Sequence, residues 1–144
     1  MNILIGTHAF LGEAGALAFL WVFIEMLNPS ERRLYRARLA AFLGVLFLVG
    51  AWIVGGYYYV TEYGAFVKPV IKAGPIPWAH SVITETKEHV FLFLPFLAIY
   101  VWGLLKRYKD EFIQNASQRK AVLVVSILIV LLAFSMAGMG FIIS

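Results

Sequence analysis

The sequence predicts an all-α, polytopic membrane protein: four transmembrane helices in an up-down bundle, with both termini on the outer side. Three observations predict it. The 144 residues are 62% hydrophobic and only 14% charged, far from the balance of a soluble domain. Four apolar runs each reach the roughly 20 residues that a spanning helix needs. The basic residues gather in two of the three connections, which orients the bundle.

The apolar runs place the helices at about 3–27, 39–60, 82–105 and 121–143, all within a single domain covering 1–144. Backbone groups in hydrocarbon must pair within their own segment, so runs of this length read as helices. A β-barrel would need alternating strands of about ten residues, and no such alternation occurs. The first run has no basic leader and is too long for the core of a cleaved signal peptide. Asn28-Pro29-Ser30 ends the first helix, and Ser30 is suited to cap the second. Helices 1 and 2 are then antiparallel neighbours, as are helices 3 and 4 across the polar stretch 106–120.

Arg32, Arg33, Arg36 and Arg38 lie between helices 1 and 2, and Lys106, Arg107, Lys109, Arg119 and Lys120 between helices 3 and 4. These are nine of the twelve basic residues. The positive-inside rule makes that side cytoplasmic and turns both termini outward, as in a bacterial or archaeal cytoplasmic membrane. The basic residues serve topology and anionic lipid, not nucleic acid. Gly64, Pro69, Gly74, Pro75 and Pro77 argue against a continuous helix through 61–79. Its Phe66, Val67, Val70, Ile71, Ile76 and Trp78 are too apolar for a solvated loop. The stretch is expected to lie as an interfacial connection over the outer helix ends, with Tyr57, Tyr58, Tyr59, Tyr63 and Trp78 as an aromatic belt.

Three histidines are the candidate chemistry. An ionisable side chain inside a membrane segment marks a functional site by default, and neutral imidazole is a common ligand for metals and haem iron. At 1.5 Å per residue, His8 lies roughly 8 Å below the outer start of helix 1, and His89 about 10 Å below Val82. The two are expected at matched depth on different helices. Gly12 and Gly15 share the stripe of His8, leaving bare backbone where a flat ligand could lie, or a surface for close helix packing. Glu85, His89, Phe93, Phe96 and Tyr100 share a stripe on helix 3. His80, nine residues before His89, falls on the opposite side.

Lys87 is placed to neutralise an anionic group, and Glu85 or Glu88 to orient an imidazole N–H, although a solvated helix end accounts for these charges equally. Glu13 falls near mid-membrane, about 140° around helix 1 from His8, where it faces another helix, a water file or a proton path. Met136 and Met139 are packing residues or alternative axial ligands. The absence of cysteine excludes disulfides, iron–sulfur clusters and covalent c-type haem. No phosphate loop or nucleophile–base pair points to a hydrolase or kinase.

A histidine pair on two helices, with glycine beneath one and aromatics beneath the other, resembles the small membrane-bound b-type cytochromes. The resemblance rests on His8, Gly12, Gly15 and His89. It implies one non-covalent haem b with His8 and His89 as axial iron ligands, and Gly12, Gly15, Glu85, Lys87 and Phe93 around it. It further implies electron transfer between a quinone pool and an outer-side acceptor, with other redox subunits as partners. A second histidine pair is missing, so a two-haem path across the membrane is not implied. Two readings of the residues stand beside it. Glu85, His89 and His8 form a two-histidine, one-carboxylate set suited to zinc or non-haem iron, with His80, Met136 and Met139 as further donors. Alternatively, the chain is an accessory subunit that packs a larger membrane assembly.

Overall fold

The computed structural model describes residues 2–75, 77–108 and 111–142, with the side chains of Ala79, Glu88, Phe141 and Ile142 left undescribed. Among these residues every regular element is helical. Helix α1 spans Ile3–Leu27, α2 Glu31–Tyr58, α3 Lys68–Ala73, α4 Glu85–Arg107, α5 Glu111–Gln114 and α6 Ala116–Ile142. Four helical runs are long and apolar enough to cross a membrane. The first has the limits read from hydropathy, and the other three begin earlier because their polar first turns are helical too. Asn2 caps α1 by accepting from the Leu4 amide, and Ser30 caps α2 by accepting from the Arg33 amide, each pairing a donor that a helix start leaves open.

The largest departure from expectation is the stretch 61–79. The chain leaves α2 without a break, runs through a π-helical segment, Tyr59–Val67, and continues as α3 to Ala73. Glu31–Ala73 is thus one helical path of 43 residues, on the order of 60 Å long and about twice the hydrocarbon thickness. Pro69 lies just where the π-helical segment passes into α3, and the helical path continues through it. The chain breaks instead around Gly74 and Pro75. Ile76, one of the apolar residues of the expected connection, lies outside the described residues. A second π-helical segment, Ala79–Thr84, leads into α4.

The long helices form a ring in which α1 lies beside α2 and α6, and α4 lies beside α2 and α6. A Cβ on Gly15 would strike Leu48, and one on Gly44 would strike Phe19, so α1 and α2 approach closely and run antiparallel. Ala16, Phe19, Val22, Leu34, Ala37, Ala41, Leu48, Leu94, Ala98, Val101, Leu105, Val122 and Ile129 fill the centre. The arginine end of the bundle is tied by polar contacts. Glu25 lies 3.4 Å from Arg33 Nε and 3.2 Å from Arg36 Nε, and accepts from Trp21 Nε1 at 3.0 Å. Arg38 Nε donates to the Leu105 carbonyl at 2.9 Å, satisfying an acceptor that the end of α4 leaves open.

Candidate functional site

The opposite end of the bundle holds all three histidines, in three different environments. His8 projects from α1 between α2 and α4. Its Nδ1 lies 2.9 Å from the Ala51 carbonyl, and its ring meets Phe91 edge-on with centroids 5.2 Å apart. The imidazole fits a notch made by a glycine. A Cβ on Gly55 would lie 2.6 Å from His8 Nδ1. The glycine that makes room for His8 therefore belongs to α2, a partner that the sequence of helix 1 could not reveal.

His80 is 1% exposed and sits between the two π-helical segments. Its Nδ1 lies 2.9 Å from the Tyr63 hydroxyl, which is also 3.2 Å from Thr84 Oγ1. Its Nε2 lies 3.7 Å from a carboxylate oxygen of Glu85, whose side chain is 46% exposed. Tyr59 stacks on Tyr63 at 5.3 Å, and Asn2 hydrogen-bonds Glu62 from the start of α1. π-Helical turns are rare and tend to fall at functional sites or points of strain. Here two of them face each other around a buried histidine. The sequence carried only a weak signal for this cluster, in the tyrosine run and the nearby His80.

His89 is exposed on α4, with Nδ1 2.6 Å from the Glu85 carbonyl one turn earlier. Phe93 and Phe96, on the same stripe, are 65% and 67% exposed. Phe91 faces His8, and two residues of helix turn the chain by about 200°. His89 therefore points away from His8, and the expected pair at matched depth does not face across one gap.

The surrounding residues divide similarly. Gly15 is filled by Leu48 and serves helix contact, whereas a Cβ on Gly12 would meet nothing within 4 Å. Lys87 reaches across to α6, its Nζ 3.3 Å from where a Cβ on Gly140 would stand. Met136 is buried and Met139 half-buried. Glu13 is exposed on α1 and has no hydrogen bond or ion pair among the described residues. Among those residues no three His, Asp or Glu side chains gather as a metal ion would need, so Glu85, His89 and His8 are not assembled into a set. The side chain of Glu88 lies outside the described residues.

The imidazole tautomers follow from these contacts. A carbonyl oxygen only accepts, so the Nδ1 of His8 and of His89 carries the proton when the ring is neutral. In each the Nε2 lone pair is then left for a ligand, the arrangement in which metal-bound histidines are commonly oriented. His80 differs, since its Nδ1 meets the Tyr63 hydroxyl rather than a carbonyl and its Nε2 faces the Glu85 carboxylate from 3.7 Å. No family model matches the chain, and no curated protein or solved structure matches it either.

Proposed function

We propose that the chain is a multi-pass membrane electron-transfer subunit that holds non-covalent haem b near the outer face, with His89 as the axial ligand on the outward side of α4. The observation that carries this reading is the His89 ring: its Nδ1 is tethered to the Glu85 carbonyl, leaving an exposed Nε2 to meet iron. Phe93 and Phe96 continue the same stripe and supply an apolar wall. Haem would contribute one-electron chemistry when bound. The chain itself would supply the imidazole, its orientation and a dry surface.

His8 faces into the bundle, so any further protein ligand that haem needs would come from a neighbouring redox subunit. Quinone is the membrane-side electron carrier on this reading. The alternating contacts of α1, α2, α4 and α6 support an up-down bundle. The basic connections turn cytoplasmic under the positive-inside rule, with both termini outward. A second reading is a packing subunit without a cofactor. The filled notches at Gly15 and Gly55 favour it, because they leave no gap between α1 and α2.

Haem content of histidine variants, purified with their partners, separates these readings. His89→Ala is expected to lose the low-spin haem spectrum, while His80→Ala and His8→Ala keep it with reduced stability. Unchanged haem in His89→Ala would refute the assignment. Loss on His8→Ala alone would move the ligand into the bundle.

A further inference from the structure

Glu13 poses a problem that the rest of the bundle does not solve. It lies about 15 Å along α1 from Ile3 and about 21 Å from Leu27, in the middle of a membrane-spanning helix. Its side chain is on the exposed face, and among the described residues nothing in the chain pairs with it. A carboxylate facing hydrocarbon is costly, and such residues normally face a partner or a water-filled cavity. The same face dips at Gly6 in a shallow, open depression edged by Ile3, Thr7 and Phe10. Gly6 is seven residues before Glu13 and lies almost directly above it on the helix. The face therefore offers a recess one to two turns from an unmatched negative charge.

From this charge and recess, we propose that the outward face of α1 binds a transmembrane helix of a different subunit that carries a lysine or arginine at mid-membrane depth. Charge complementarity selects that occupant over a second copy of this chain. The level of Glu13 is fixed by its neighbours, since Gly50 approaches Leu11 and Leu48 fills Gly15. No lysine or arginine occurs within residues 1–31, 39–67, 88–105 or 121–144. A second copy thus has no cation to offer at that depth on any of its spans. A partner helix with one buried cation satisfies Glu13, while a side chain next to that cation fills the recess beside Gly6. The inference stands on α1 alone and holds with or without a cofactor.

The test uses the whole chain in phosphatidylcholine vesicles, labelled with a donor dye on a single cysteine replacing the exposed Arg32. The probes are acceptor-labelled, leucine-rich helices of about 20 residues, bearing lysine, leucine or glutamate at the centre. The central-lysine helix is expected to associate about tenfold more tightly than the central-leucine helix, in line with polar contacts between model membrane helices. Glu13→Gln should remove most of that preference, and Glu13→Lys should transfer it to the central-glutamate helix. Glu13 is exposed, so both variants are expected to keep the wild-type circular dichroism spectrum. Equal association of wild type with the lysine and leucine helices would overturn the proposal. So would chain–chain transfer that exceeds chain–helix transfer and disappears in Glu13→Gln, which would assign the face to a second copy.

Discussion

At the scale of single residues, identical side chains differ by what their second nitrogen meets. His8 and His89 each spend Nδ1 on a backbone carbonyl, whereas His80 is held at Nδ1 by the Tyr63 hydroxyl and has Glu85 3.7 Å from Nε2. The sequence paired His8 with His89 and set His80 apart, but it could not name their partners, which come from distant positions or from backbone. The Gly55 notch makes the same point. Gly55→Ala would drive a methyl to within 2.6 Å of His8 Nδ1, whereas a Cβ at the adjacent Gly56 meets nothing within 4 Å. Overpacking a filled site typically costs about 1–3 kcal/mol. Gly55→Ala is therefore expected to lower the midpoint of unfolding in detergent, and Gly56→Ala to leave it nearly unchanged. Equal midpoints would mean that α2 shifts freely and that the notch does not hold the ring.

At the scale of elements, hydropathy located all four spanning helices because each apolar run is long and continuous. It missed the helical part of the stretch 61–79, which runs to Ala73, for a physical reason. Proline and glycine act as helix breakers only where the backbone cannot adapt, and here Pro69 follows directly on a π-helical segment and Gly64 lies inside it. Glycines on helix 1 suit either a flat ligand or close helix packing, and the structure divides the two, with Gly15 packed and Gly12 open. Gly15→Leu is expected to destabilise the α1–α2 contact by a few kcal/mol, because Leu48 already occupies the space. Gly12→Leu, which meets open space, should be tolerated. Thermal unfolding of the two variants checks this, and a larger loss in Gly12→Leu would contradict the packing described here. The buried Tyr63–His80–Thr84 cluster was the least legible part of the site. It arises only when two π-helical turns, more than ten residues apart in sequence, come face to face.

At the scale of the whole molecule, charge decides orientation and exposed side chains decide company. Nine of twelve basic residues lie near the α1–α2 and α4–α6 junctions, most of them in the end turns of the helices, so the bundle should insert with Arg32–Arg38 inward and the α3 end outward. Cysteines introduced at Ser30 and Gly74 into this cysteine-free chain should label from opposite sides of sealed vesicles with an impermeant reagent. Labelling of both from one side would mean that α2 does not cross the membrane and would overturn the helix count.

The outward His89 with its aromatic stripe and the unmatched Glu13 on α1 both describe a subunit built to sit among others. The most direct measurement of the central claim is the visible spectrum of the protein, purified with its partners, before and after reduction by dithionite. A Soret band with sharp α and β bands on reduction, lost in His89→Ala, is the expected result. A folded protein with no visible absorbance in either state would contradict haem binding and leave the packing subunit as the reading of this chain.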